Sequence, residues 1–205
     1  MEKKAHWEHI YITKDSAEVS WFKPHLAVSL QMILGLGAQK NDSIIDIGGG
    51  ASTLVDDLLK EGFQEIAVLD ISKKALEVSQ KRLGPLSKKI QWIEGDVTQA
   101  KLPEQHYGIW HDRAVFHFLT SLEERRSYIH LLERSLKSMG HVIMATFSLE
   151  GPPKCSGLEI VRYSPESLQL ELGKRFKLVK SFCENHKTPL DTTQEFIYGH
   201  FQKVE

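Results

Sequence analysis

The feature that most constrains this chain is the recurrence of a short apolar run, a turn, and then a stretch with helical spacing. "SIIDIG" (43–48) is followed by "STLVDDLLKEG", which has helical spacing and a Gly62 stop. "EIAVLD" (65–70) leads into "ISKKALEVSQKRLG", with Ser72 as a helix N-cap and Gly84 just past the helix end. "IQWIEGD" (90–96) predicts a third strand, and "YGIWHD" (107–112) a fourth with a helix after it. "SLEERRSYIHLLERSLKSMG" sets Leu122, Ile129, Leu132 and Leu136 on one face and ends at Gly140, before a fifth strand, "HVIMATF" (141–147). Strands alternating with helices imply right-handed crossovers and a parallel sheet. Near-continuous apolar strands fit a sheet covered on both faces.

The tail breaks this rhythm. "FKLVKSFCEN" and "TQEFIYGHFQK" are strand candidates with no helix between them, so they predict an antiparallel pair at one edge. At the front, "SWFKPHLAVSLQMILGLG" reads as a helix with Pro24 near its first turn and Leu26, Leu30, Ile33 and Leu34 facing inward. The expected fold is a doubly wound α/β domain over 1–205. It has a seven-stranded, mostly parallel sheet with helices on both faces, an antiparallel C-terminal edge pair and an N-terminal helical cap within 1–40. At 205 residues the chain can bury a core without staples. Lys plus Arg (26) balances Asp plus Glu (27), which gives no reason to expect nucleic acid or an anionic membrane as partner. Two cysteines, Cys155 and Cys183, cannot build a disulfide framework or a Cys-x-x-Cys knuckle. The N-terminus lacks a signal-peptide core, and no run of about 18 apolar residues could span a bilayer, so the expected location is cytoplasmic.

The first strand runs into "IIDIGGGAS". Open parallel sheets bind ligands at the carboxyl ends of their strands, and glycines there let the backbone approach a ligand. NAD, FAD and S-adenosylmethionine sites all use such a loop. A dinucleotide G-x-G-x-x-G is not completed, because Gly48 and Gly50 are followed by Thr53. Asp46, two residues before Gly48, suits a ligand with positive charge better than a pyrophosphate; S-adenosylmethionine carries a sulfonium and an ammonium. Asp70 ends the second strand, where a carboxylate can accept both ribose hydroxyls. Asp96 ends the third, where it can accept the adenine amino group while the Val97 amide donates to the ring.

With "IIDIGGG", "LDIS", "EGDV", "YGIWHD" and "LKSMGHVIMATF", the chain resembles the class I S-adenosylmethionine-dependent methyltransferases over roughly residues 20–205. Within them it looks most like a bacterial-type group carrying "DIGGGAS", "WHDRAVFHFL" and "ATF…GP…CSGL…VRY". A departure from the common pattern is Ser52, where many members have a third glycine; serine is tolerated at a helix start. The resemblance implies S-adenosylmethionine as cofactor, held by Asp46, Gly48, Gly49, Gly50, Asp70, Ile71, Asp96 and Val97.

The stretch "YGIWHDRAVFHFL" looks at first like a catalytic or metal cluster. Strand alternation sends Trp110 and Asp112 one way and His111 the other. In a helix over 113–119, Arg113 and His117 would be neighbours. Two histidines six apart and one Asp do not specify a zinc site, so no metal is expected. The resemblance instead places residues 111–113 beside the transferable methyl. His111, Asp112 and Arg113 are therefore the expected catalytic residues, with His111 also lining the cofactor and serving as first choice of base. Arg113 either anchors a substrate carboxylate or pairs with a neighbouring acid, and His117 packs under the loop. Trp21 and Phe22 either cover the cofactor or pack in the core. The Pro- and Gly-rich stretch 148–168 follows strand five at the active end, where loops shape substrate pockets, and Arg162 and Tyr163 are its expected substrate contacts. Cys155 reads as inert.

The resulting expectation is methyl transfer by in-line displacement, in which the enzyme mainly positions the nucleophile. A base is needed only for an acceptor that must lose a proton. The acceptor is a small molecule or a protein side chain, lysine among them; the N-terminal segment is loosely similar to protein-lysine methyltransferases. An Asn-Pro-Pro-Tyr motif is absent, and "WHDR" stands in its place. Two other readings are a non-catalytic cofactor-binding module and a nicotinamide-dependent oxidoreductase. The missing third glycine and the in-strand Asp46 argue against the oxidoreductase.

Overall fold

The computed structural model describes residues 3–204. β1 (Ile44–Ile47), β2 (Ile66–Asp70), β3 (Ile90–Glu94), β4 (Tyr107–Arg113) and β5 (Leu136–Phe147) form a parallel sheet. A separate short hairpin, β6 (Lys154–Cys155) and β7 (Leu158–Glu159), precedes β8 (Phe176–Lys187) and β9 (Thr193–Lys203). β9 pairs antiparallel with β5, and β8 with β9, giving the seven-stranded order β3-β2-β1-β4-β5-β9-β8.

Period-two alternation divides the strand side chains between two cores. Ile45, Trp110 and Met144 pack with Leu132 of α5 (Leu122–Ser135) and Leu168 of α6 (Pro165–Leu172). Ile44, Val68 and Ile143 pack with Ile33 of α2 (Ala27–Gly35), Leu58 of α3 (Leu54–Lys60) and Leu76 of α4 (Lys73–Leu83). Each such side chain removed from water contributes ~1.5–3 kcal/mol, which is why both faces of the sheet are covered. α4 starts where Ser72 accepts from the Ala75 amide, and Gly84 follows its end. A Ser121–Glu124 capping box starts α5.

The chain departs from expectation at three places. A further helix, α1 (Lys3–Thr13), precedes the cap, and the cap helix α2 begins only at Ala27, leaving Pro24 outside it. Leu34 is 39% exposed and not turned inward. α5 gives up its last turn because Leu136 pairs with Tyr107 as the start of β5. After β4 there is no α-helix: Ala114 takes φ 72°, which a right-handed helix cannot accommodate, and only a short 3-10 turn, Phe116–Phe118, follows. Arg113 and His117 are therefore not helical neighbours. No helix among the described residues is long and apolar enough to cross a membrane.

Candidate active site

The strand order reverses between β1 and β4, and a cavity opens outside their carboxyl ends. Its volume is about 110 Å³, and it opens to solvent. Gly48 and Leu69 form its floor, Asp70 with Ile71 and Asp96 with Val97 one wall, and Arg113 the other. Trp7 and Tyr11 of α1 and Trp21 roof it. A second compartment shares Tyr11, Trp21, Gly48 and Arg113 and extends to Asp46, Gly49 and His111. Phe22 lines this second compartment. The ten residues expected to bind the cofactor thus converge here, save that Gly50 acts through Asp70.

The glycine loop is shaped by its carboxylates. The Gly50 N–H donates to Asp70 Oδ2 (2.9 Å), and the Ser72 N–H donates to Oδ1 (2.8 Å). A Cβ on Gly50 would meet Asp70 Oδ2 at 2.5 Å, and one on Gly49 would meet Asp46 Oδ2 at 2.3 Å. Gly48 holds φ 67°, and a Cβ there would meet Val115 at 2.1 Å. Burial pushes the Asp70 carboxyl up to about 6, against the pull of the Ser72 and Gly50 amides. Asp96 Oδ1 accepts from the Thr98 amide (2.8 Å) and hydroxyl (2.7 Å), which fixes the turn after β3.

A buried row of hydrogen bonds links the other side of the site. Arg113 Nε donates to the Tyr198 hydroxyl (3.1 Å), which lies 3.4 Å from Ser29 Oγ. Ser29 Oγ lies 2.9 Å from His111 Nε2, and His111 Nδ1 lies 2.6 Å from Asp46 Oδ1. With a neutral His111 protonated on Nδ1, every donor in the row points toward Asp46. Each end keeps a buried atom without a partner: Asp46 Oδ2, an acceptor, and Arg113 Nη2, a donor. Arg113 Nη1 donates to the Trp21 carbonyl (3.0 Å), and its guanidinium lies 4.5 Å from the Phe196 ring.

Other expected site residues do different work. Asp112 is fully buried, faces away from the cavity and lines neither compartment. Its carboxylate accepts from the Tyr128 hydroxyl (2.6 Å) and the Val115 amide (2.9 Å), because the reversal at Ala114 leaves those amides in need of a partner. Arg162 donates to the Leu149 (2.7 Å) and Gly151 (3.2 Å) carbonyls, and Tyr163 is buried against Phe116. Neither lines the cavity, so in place of the expected substrate contacts they hold the 148–168 segment on the core. His117 is buried, accepts from the Phe147 amide (3.3 Å), and has its basicity pushed down to about 3 by burial.

Sequence reasoning missed Trp7, Tyr11, Ser29 and Tyr198. None sits in a glycine or acid motif; Ser29 falls in the predicted N-terminal helix, but nothing there marks its side chain for the site. Cys155 was expected in a loose loop, but the hairpin turn at Ser156 (φ 51°) and Gly157 (φ 78°) buries it against the cavity. Burial pushes its thiol up to about 12. Among the described residues no three His, Cys, Asp or Glu side chains are grouped to hold a metal ion.

A family described as a methyltransferase domain matches residues 45–144, the span from β1 into β5. A mouse (Mus musculus) eEF1A lysine and N-terminal methyltransferase is 22% identical over 138 residues, 67% of this chain and 19% of that protein. This chain therefore spans about a fifth of that relative's length. Among solved structures, a SAM-dependent methyltransferase from Anabaena variabilis superposes with a TM-score of 0.76 at 15% identity, covering 99% of this chain and 96% of its own. The Burkholderia thailandensis 1,6-didemethyltoxoflavin-N1-methyltransferase, with bound 1,6-didemethyltoxoflavin and S-adenosylhomocysteine, gives 0.74 at 13% identity, covering 98% and 87%. The domain match thus spans a little under half of the chain, and the solved structures share its fold.

Proposed function

We propose that this chain moves the methyl group of S-adenosylmethionine to a small-molecule or protein side-chain acceptor in the cavity between β1 and β4. The observation that carries this reading is the unpartnered, buried Asp46 Oδ2, set beside a glycine loop that leaves no room for a Cβ. A carboxylate oxygen in that position fits a ligand with an ammonium and a sulfonium. Asp70, with lone pairs left beyond its two amide bonds, takes the ribose hydroxyls, while Asp96 and the Val97 amide take the adenine. Bound there, the cofactor would supply an activated methyl carbon for in-line attack by an acceptor lone pair, the carbon–sulfur bonding pair leaving with sulfur.

What the chain's own residues contribute is placement. His111 has both ring nitrogens engaged, so it orients Asp46 and does not act as the general base. Asp112 holds the turn that aims Arg113. Arg113, with Trp7, Tyr11 and Trp21, bounds the space left for the acceptor and keeps bulk water out. Calorimetry with S-adenosylhomocysteine tests the cofactor half: no binding, or undiminished affinity in Asp70→Ala, overturns it. Transfer of labelled methyl to metabolites and proteins of a cell extract tests turnover, and binding without any transfer favours a non-catalytic module.

A further inference from the structure

The acids lining the two compartments are Asp46, Asp70 and Asp96, and all three stand at the ends of β1, β2 and β3. Opposite them, β4 and the N-terminal elements present Lys3, Lys23 and Arg113 and no carboxylate. Lys3 is paired with Glu124 and Lys23 with Glu184 (3.1 Å). Arg113 forms no ion pair among the described residues: two of its nitrogens are spent on the Tyr198 hydroxyl and the Trp21 carbonyl, and Nη2 is buried without a partner. A cation so placed is costly until an anion meets it. Arg113 lines both compartments, so an anion in the cavity would approach its guanidinium.

The walls there are aromatic. Trp7 packs edge-on against Trp21 (5.7 Å) and Phe118 (5.0 Å), and all three line the cavity with Tyr11. Such rings favour a flat apolar body. A lysine ammonium entering this half would gain the ring faces but meet the like charge of Arg113 with no carboxylate beside it. It would also have to pass beneath α1, which is tied down through Lys3, Lys4 and Glu8.

Resting on the methyltransferase reading above, we propose that the acceptor is a small aromatic molecule bearing a carboxylate or other anionic oxygen, seated between the Trp7, Tyr11, Trp21 and Phe118 rings with its anion on Arg113 Nη2. Protein lysine is then not the substrate.

The test uses the full chain, methyl-labelled S-adenosylmethionine and a cell extract divided before reaction into protein and into small-molecule pools retained by an anion exchanger, by a cation exchanger or by neither. Label should enter ultraviolet-absorbing species of the anionic pool. In Arg113→Met that transfer should fall at least about tenfold, a lost charge-assisted contact, and by several-fold more than S-adenosylhomocysteine affinity, which falls only by what the Tyr198–Ser29–His111 row transmits to Asp46. Arg113→Lys, which keeps the charge but not the fork, should retain more transfer than Arg113→Met; equal loss in both overturns the charge requirement. Label in the cationic or neutral pool or in protein overturns the acceptor class, as does cofactor binding with no label from any pool. Affinity for S-adenosylhomocysteine lost as fully as transfer assigns the guanidinium to the cofactor and overturns its role toward the acceptor. Failure of the wild-type chain to bind S-adenosylhomocysteine overturns the methyltransferase reading itself.

Discussion

Asp46 and His111 are register partners across β1 and β4, and their side chains meet at 2.6 Å where the sheet reverses strand order. The pairing fixes one carboxylate oxygen and leaves the other free at the cavity. It also ties the glycine loop of β1 to the strand end that carries Arg113. The two halves of the site are therefore joined through the floor of the sheet, by way of Ser29 and Tyr198.

If that pair acts as a unit, its removal is not additive. Asp46→Ala and His111→Ala should each cost about 1–3 kcal/mol, because each leaves a buried polar partner stranded. The double variant should cost clearly less than the sum. Urea unfolding of the three variants measures this, and strictly additive losses would show that the two side chains do not support one another.

The turn after β4 gives a separable effect. Tyr128→Phe removes the hydroxyl that donates to Asp112 and accepts from Trp110 Nε1 (2.8 Å). Two buried groups lose a partner, so the loss of stability should be roughly 2–4 kcal/mol. Because Asp112 faces away from the cavity, affinity for S-adenosylhomocysteine should change far less than in Asp46→Ala. Parallel unfolding and calorimetry decide it; a large affinity loss at unchanged stability would return Asp112 to the site.

The strand-and-helix rhythm carried the sheet because the runs of β1, β2 and β4 are largely buried on both faces, and the three acids were legible because each lies at or just beside the carboxyl end of a strand. What could not be read lies where tertiary contacts override local pattern. "DRAVFHFL" has helical spacing, yet Ala114 turns left-handed and its amide bonds to Ala145 (2.9 Å), so the segment follows β5 and not a helix axis. Arg162 and Tyr163 follow a Pro- and Gly-rich stretch that looked like an open loop, but Tyr163's amide pairs with the Phe147 carbonyl (3.0 Å) and draws the segment onto the core. Ser29 and Tyr198 were invisible because their partners are 82 and 85 residues away in the chain.

The glycine loop predicts a contrast between two conservative changes. Gly50→Ala places a methyl 2.5 Å from Asp70 Oδ2 and 2.4 Å from Ala75 Cβ, so Asp70 must move. S-adenosylhomocysteine affinity should drop about tenfold or more, equal to about 1.4 kcal/mol. Gly35→Ala meets nothing within 4 Å at the end of α2 and should leave affinity unchanged while adding up to about 1 kcal/mol of stability. Equal affinities in the two variants would mean that the loop yields without disturbing Asp70.

His117 provides an acid-sensitive element apart from the chemistry. Burial lowers its folded value to about 3 from 6.5, so its neutral form stabilises the fold fully above pH 6.5, and that contribution is lost as pH falls toward 3. His117→Leu gives up the Phe147 amide contact at neutral pH. Relative to wild type, however, it should gain about 2 kcal/mol between pH 6.5 and pH 5. Urea midpoints of both proteins across that window report the difference, and a constant gap would mean that His117 is protonated at no cost in the fold.

On the proposed reading Asp70, which there holds the cofactor's ribose, sets the pH response of binding. Its carboxyl, raised to about 6, must be ionised to accept hydroxyl donors while holding the Gly50 and Ser72 amides. Below pH 6 the free protein carries a proton there that binding must expel. Affinity for S-adenosylhomocysteine should then fall about tenfold for each pH unit under 6 and level off above about 7. Asp70→Asn, which has no such proton, should bind weakly and show no corresponding slope. Calorimetry between pH 5 and 8 compares the two profiles, and a flat wild-type profile would show that this carboxylate is not the group that meets the ligand.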